Sequence, residues 1–525
     1  MKSLKRNVCF LLVLMAILSL TACTAKTETT AGVDKPVTES GTAATGGVGD
    51  HDQNIVMALQ YDMGSFDTNV RWANEDFPVY FLIYARLFEY DENTSAIPGL
   101  AEEVNVISDT ETQIKIHQGA KFSDGSEITS KDVAASVMYA VESGLAGEML
   151  DQIQKIDCID DYTLSIKTAS AYPQLKLALA DPLTSIVPAS FLEEAKTNPD
   201  LWSNPICSGR YTVMERVVGS SVTLVPNEYW YDEATAAQND SITFKIVPEA
   251  STRTIMVQTG EADICDGFSA ADIESAKADP NVAIHSIASA RYFYIFMNCQ
   301  DEVFSNKLVR QALNYAVDRD AALMVQEEGR GQVMYDYVAP CCMGYVENPG
   351  NYSYNPEKAK ELLAEAGYAD GFSFDLTCDA SFGSLAALIQ GELAEIGVTV
   401  NVVTVEQMVD IIPLVAQDQC DAAVVAWSGP PDDALSTPCC LAEAAIGANN
   451  FARYTNAELE KLWANSYLQD DAARVNAYHE WENILCDDCP WIPLYVNEQR
   501  SLANADLKNV EMCCIMPYNL YKLTY

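Results

Sequence analysis

The 525-residue chain carries 75 Asp and Glu against 32 Lys and Arg, a formal net charge of −43. That balance excludes nucleic acid as a partner, because phosphate binding needs clustered cations. It also disfavours docking on an anionic membrane surface, leaving a well-solvated acidic exterior or, more weakly, attraction of cationic ligands. The length excludes a single hydrophobic core and asks for two or three domains.

At the N-terminus, Lys2, Lys5 and Arg6 precede an apolar run from Val8 to Leu20, followed by Leu20-Thr21-Ala22-Cys23. A basic start, a short apolar stretch and small residues before a cleavage point predict a secretory signal over 1–22. About 13 apolar residues fall short of the ~20 needed to span a bilayer. Leu-x-Ala-Cys resembles a bacterial lipobox, in which cleavage leaves Cys23 as a lipidated N-terminus; an ordinary signal peptide with a chance cysteine is the alternative. Residues 23–52 are rich in Thr, Gly, Ala and Ser with almost no large apolar side chain. They predict a flexible tether rather than part of a core.

Strand-like and helix-like segments then alternate without a short repeat. TQIKIHQGAKF puts Ile114 and Ile116 on one face, YTLSIK does the same with Leu164 and Ile166, and SITFKIV with Ile242, Phe244 and Ile246. Thr129 with Asp132 predicts a capped helix whose stripe is Val133, Val137, Ala140 and Val141, ending at Gly144. Asn355-Pro356 predicts a helix with Ala359, Leu362, Leu363 and Ala366 on one side and Gly367 as its stop. Thr455 and Glu458 form an expected capping box ahead of Leu459, Leu462 and Trp463. VTVNVV, 398–403, alternates as a half-buried strand would, whereas DAAVVAW, 421–427, is continuously apolar like a strand covered on both faces. Together these predict an α/β (α+β) protein of several lobes.

The loop AWSGPPDDALSTPCC, from Ala426 to Cys440, begins where that buried strand ends, the place where α/β proteins put ligands. Around it, further blocks carry a resemblance: IPGLAEEV from Ile97, GAKFSDGSEITSKDV (119–133) and CSGRYTVMERVVGSSVTLVPNEYWYDE (207–233). To these add IVPEASTRTIMVQTGEADI (246–264), FSNKLVRQALNYAVDRDAAL (304–323), YNPEKAKELLAEAGY (354–368) and CPWIPLY (489–495). In this order they resemble the large extracytoplasmic solute-binding proteins of peptide/nickel ABC importers, across nearly the whole chain after the tether. The resemblance implies a two-lobed periplasmic-binding-protein-like fold with an extra domain in the N-terminal half. Lobe I is expected from 53–91, 183–285 and 496–525, the extra domain II from 92–182, and lobe III from 286–495. A ligand, expected to be a short peptide, is trapped between lobes by hinge closure and handed to permease subunits.

The same resemblance implies the site. In peptide-binding members the loop supplies a tryptophan, backbone groups and an aspartate that pairs with the peptide ammonium, a charge-assisted bond in a closed cleft. Trp427, Ser428 and Gly429 match. Pro430-Pro431 stands where the aspartate usually comes, and Asp432 and Asp433 follow late. Either one of them replaces the anchor through a shifted loop, or the anchor is absent and Asp432 caps the segment ALST. LQYDMGSFD aligns with the first cleft-lining strand, which nominates Tyr61 and Asp62. RYFYIFMN, 291–298, aligns beside the cleft, so one or two of Tyr292, Phe293 and Tyr294 are expected at the ligand and the others inside.

Other chemistries have little support. The four histidines, at 51, 117, 285 and 479, are scattered, His479-Glu480 lacks the second histidine of a zinc-protease helix, and there is no G-x-S-x-G elbow or phosphate-binding loop. No catalytic residue, metal site or cofactor is therefore assigned. Sixteen cysteines are many for an exported chain and keep open a secreted cysteine-rich redox or metal-binding protein. Within Cys486-Asp487-Asp488-Cys489, two acids and a helix C-terminus should raise the thiol pKa, which favours a structural pair. Cys341-Cys342, Cys439-Cys440 and Cys513-Cys514 suit disulfides, buried thiols or a soft metal. A nickel or metal chelate, or an oligosaccharide, is the alternative cargo of the same scaffold. The protein is expected to be a monomer, tied to the cell membrane only by its N-terminal lipid.

Overall fold

The computed structural model describes residues 53–71, 76–91, 94–145, 148–347, 349–428, 436–467, 471–514 and 517–525. The expected signal, Cys23 and the tether lie outside them, as do Gly429, Asp432 and Asp433. No helix among the described residues is long and apolar enough to cross a membrane.

One mixed sheet runs through the molecule. From one edge its order is Thr399–Val405, Ser373–Asp379, Ala422–Ser428, Val282–Met297, Trp491–Asn504, Ile264–Cys265, Asn54–Leu59, Ser241–Ile246, Ser221–Pro226 and Tyr211–Val217. Gly331–Val333 pairs beside this path on Trp491–Asn504. Asn54–Leu59 is parallel to both its neighbours, as is Ser373–Asp379, while the pairings between the two long strands and with Ala422–Ser428 are antiparallel. Parallel strands need crossover helices, which cover both faces of the sheet and account for the unbroken apolar run of Ala422–Ala426.

Two lobes hang on the two long strands. Ile55, Met57, Ile242, Phe244 and Ile264 build one core together with Leu507, Leu520 and Leu523 from the far end of the chain. At the other end of the sheet the residues alternate between two cores. Ala422, Val424 and Ala426 face Phe293, Leu313, Leu363 and Leu385, while Ala423 and Val425 face Tyr292, Tyr294, Trp481 and Trp491. A separate antiparallel sheet, Ala101–Ser108, Glu111–Ile116, Thr163–Thr168 and Ile153–Cys158, carries the extra domain. There Ile114, Ile116, Leu164 and Ile166 bury against Val133, Val137 and Ala140 of the helix Ser130–Ser143. Each such aliphatic side chain contributes about 1.5–3 kcal/mol by leaving water.

Local signals in the sequence account for the helix ends. Thr129 and Asp132 form the reciprocal capping box, and Gly144 closes that helix at φ 68°. Asn355 Oδ1 accepts from Lys358 N ahead of Pro356–Glu365. The expected box of Thr455 and Glu458 is corrected: Asn456 Oδ1 accepts from Glu458 N and Leu459 N, so the cap sits one residue later. VTVNVV also departs from alternation. Val398 and Val400 are buried, but Val402 and Val403 are both exposed, because the edge strand outruns the helix Gly383–Glu395 that covers its first half.

The long strands Val282–Met297 and Trp491–Asn504 pair from Val282 with Asn504 to Phe296 with Trp491, slipping register between Ala288 and Tyr292 and again after Phe293. At roughly 3.3 Å per residue, sixteen residues reach about 50 Å, enough to serve both lobes. The irregular backbone is satisfied off the ladder: Arg291 N donates to Ser289 Oγ, that hydroxyl bonds Asn497 Oδ1 at 2.6 Å, and Ala290 N donates to Cys514 O. A bulge bends a strand and raises its twist, and this one lies where the two cores part.

Candidate ligand-binding site

Trp427 is the penultimate residue of Ala422–Ser428 and follows the alternation of that strand. It lies in register with Tyr292 and is half-buried against the core of Tyr292 and Trp491. Ser428 pairs in register with Arg291, so the strand delivers its end to the bulge between the lobes. Gly429, Asp432 and Asp433 fall outside the described residues. Beyond them the chain is fixed again: Thr437 Oγ1 donates to Tyr337 O at 2.7 Å, and Cys440 and Leu441 enter the core of Tyr292. The described residues on either side, Trp427 and Cys440, thus belong to one core.

The residues after Asn54–Leu59 form a second lip. Tyr61 is 53% exposed, and its hydroxyl accepts from Gln60 Nε2. Asp62 is occupied otherwise: its carboxylate accepts from Gly219 N at 2.8 Å and lies 3.9 Å from Arg216 Nη2. Asp76, fully buried, organises this loop by accepting from Gly64 N and from Arg71 Nε and Nη2, the last two at 2.7 Å. Neither Arg71 nor Asp76 stands out in the sequence, where they are two among many charges. A third lip follows Ile264–Cys265. Buried Arg253 donates to Asp266 O and Gly267 O there and to Val247 O and Pro248 O, so one guanidinium clamps the loop leading to Phe268.

Tyr292, Phe293 and Tyr294 are all buried. Phe293 stacks on Tyr495 at 4.8 Å between ring centroids, and on the opposite face of the sheet Trp491 stacks with Tyr294 at 4.2 Å and with Tyr337 at 5.4 Å. The expectation that one or two of the three reach ligand meets a sheet covered on both faces. Alternation here sorts aromatics between two cores instead of between core and cleft.

The cysteines divide by place. Cys486 lies in the last turn of Asp471–Asp488, and Cys489 Sγ donates to Cys486 O at 3.0 Å. Burial pushes the Cys489 thiol up to about 12; burial, then the nearby Asp336 charge, pushes Cys486 well above the ordinary range. The expected direction holds, but burial outweighs the flanking aspartates. Asp336 itself accepts from Tyr337 N and Val346 N, and burial raises its carboxyl and that of neighbouring Glu482. Asp336 thus pins the two ends of the loop bearing Cys341 and Cys342. Cys341 and Cys514 share a hydrogen bond, and Cys514 Sγ lies 3.9 Å from Thr94 Oγ1. Among the described residues no group of three or more His, Cys, Asp or Glu is placed to hold a metal ion.

Residues 95–443 match the family described as bacterial extracellular solute-binding proteins, family 5 Middle. The chain belongs to this family. Heme-binding protein A of Haemophilus influenzae is 28% identical over 448 residues, covering 78% of this chain and 81% of that protein. The glutathione-binding protein GsiB of Shigella dysenteriae is 27% identical over 449 residues, covering 83% and 86%. Among solved structures, HbpA2 from Haemophilus parasuis superposes with a TM-score of 0.84 at 23% identity, covering 90% of this chain and 99% of that one. The DppA protein of Helicobacter pylori in complex with the peptide STSA gives 0.71 at 22% identity, covering 90% and 97%. The two-lobed binding-protein fold is therefore established, and so is the class of activity. The protein is an extracytoplasmic solute receptor of an ABC importer, and it works by capturing a ligand rather than by catalysis.

Proposed function

We propose that the protein is anchored through a lipidated Cys23 and captures short peptides between its lobes for delivery to the permease. The observation that carries this reading is Trp427, half-buried near the end of a doubly covered strand whose last residue, Ser428, pairs in register with Arg291 at the bulge. Backbone groups at a strand end hold an extended peptide without reading its side chains, while an indole supplies apolar contact. Support comes also from relatives solved with the peptide STSA, with Met-Leu and with a nonapeptide. The lobes and extra domain are taken at the boundaries expected from the sequence. The cores support that division, with one adjustment: Leu87, Phe88, Tyr90, Leu183 and Ile186 pack with the extra domain's sheet.

A thermal-shift screen tests the cargo. Di- to hexapeptides are expected to stabilise the protein by RT ln(1 + [L]/Kd), about 2.7 kcal/mol at a hundredfold excess over Kd. A shift with a nickel–histidine chelate, an oligosaccharide or haem, and none with any peptide, would overturn it. If Asp432 or Asp433 anchors the peptide ammonium, its change to Asn weakens free-amine peptides by ~2–5 kcal/mol and leaves N-acetylated ones unchanged. Equal losses for both would show a carboxylate that only holds the loop. Cys23→Ser should release the protein from the membrane fraction.

A further inference from the structure

In a chain this acidic, three arginines gather where the two lobes join. Along Trp491–Asn504, Leu494 and Tyr495 belong to a core of one lobe, and Leu502 and Ala503 to cores of the other. Arg500 lies between, in register with Ser286, with its guanidinium 5.7 Å from the ring of Phe268 on the lip that Arg253 clamps. Arg330 reaches the same place from the opposite lobe. Gly331 beside it pairs with Asn497, and a Cβ on Gly331 would meet Val496 O at 2.2 Å, so only glycine lets the segment press this close. Arg291 is exposed, in register with Ser428, and lies 5.3 Å from the ring of Phe293.

Arg330 Nε, Arg500 Nη1 and Tyr495 Oη are enclosed from solvent and have no hydrogen-bond partner among the described residues. The neighbouring acids leave these three atoms unanswered. Glu328 takes Arg330 Nη2 at 3.0 Å, Glu498 lies on the strand beside Arg500, and half-buried Glu327 is displaced by burial toward its protonated form despite the three arginines around it. Arg500 is held below its ordinary value, first by burial and then by the charge of Arg330. Two neighbouring guanidinium groups each keep an enclosed N–H unanswered among the described residues, and a carboxylate offers the acceptor geometry that such groups match.

We propose that Arg330 and Arg500, with Arg291 and Tyr495 beside them, bind a carboxylate of the transported ligand. The inference rests on the reading that ligand lies between the lobes, and it narrows that ligand to carboxylate-bearing molecules, such as a peptide with a free C-terminus or haem with its propionates. Neutral oligosaccharides are thereby excluded.

Isothermal titration of the full chain tests it with two matched pairs: trialanine against trialanine amide, and haemin against its dimethyl ester. In whichever pair binds, the acid is expected to bind at least ~10-fold more tightly than its neutral partner, and Arg500→Gln and Arg330→Gln should each remove that preference. Equal affinity for acid and neutral partner in the unmodified protein, which needs no variant to fold, overturns the carboxylate site and leaves the peptide reading standing. An acid preference seen only in the haemin pair overturns the peptide reading and keeps the site. If none of the four binds, or if maltotriose binds instead, both fall.

Discussion

Arg319, inside one lobe, and Arg500, at the junction of the two, have opposite surroundings. Arg319 is 2% exposed and donates to the carbonyls of Met334, Pro493, Asn314, Val317 and Tyr352 and to Asn314 Oδ1. No carboxylate is among these partners, and burial lowers its pKa only to about 10, so it stays charged at neutral pH. Arg500 has an enclosed N–H with no acceptor among the described residues and a second arginine for a neighbour. A buried cation ringed by carbonyls organises a fold, because every donor is answered by the chain itself. One with a donor unanswered among the described residues, at the junction of two lobes, is available to an acceptor from outside the fold.

The sharpest way to break that contrast is to remove each cation. Arg319→Met leaves several carbonyls without donors and should cost on the order of 4 kcal/mol, seen as a lower urea midpoint. The second test stays in the same neighbourhood. Glu392 is nearly buried, accepts from Asp318 N at the cap of the helix bearing Arg319, and is raised by burial to about 7. Its folded pKa lies above its unfolded one, so its contribution is whole below the ordinary carboxylate pKa and is lost as pH rises through about 7. Glu392→Gln keeps an acceptor without the charge. It should leave stability at pH 4 unchanged and raise it at pH 8 by on the order of 2 kcal/mol, read from melts across that range. The smallest effect is reserved for Arg500→Gln, which without ligand should shift stability by less than about 1 kcal/mol. A loss as large as that of Arg319→Met would erase the distinction and make Arg500 another structural cation.

What the sequence disclosed follows the range of the interactions concerned. Thr129, Asp132, Asn355 and Gly144 act within a turn of themselves, so their spacing suffices to find them. DAAVVAW announced a doubly covered strand because burial on both faces leaves no polar position. The misplaced cap at Asn456 is a local contest between two good capping residues one position apart. The aromatics at 292–294 show where pattern stops: alternation separates two faces without saying what covers each. Arg319, Asp336 with Glu482, and the Arg330–Arg500 meeting join residues far apart in the chain, and nothing near any of them in sequence marks it out. For the loop after Trp427, the resemblance located the candidate site, and the register of Ser428 with Arg291 now says which part of the molecule it adjoins.

The core that contains Ile55 and Met57 also contains Leu507, Leu520, Tyr521 and Leu523. Asn239 Nδ2 donates to the carbonyls of Leu520 and Leu523, and Gln238 N to that of Tyr521. The lobe that begins first during synthesis therefore cannot close until the segment around 520 has been made, more than 400 residues later. Domains usually fold from the N-terminus as the chain emerges, but here the early strands must wait, exposed, for their last partners. Loop closure over such a separation is slow. Through synthesis up to the segment around 520, the order of the strands thus keeps this core open.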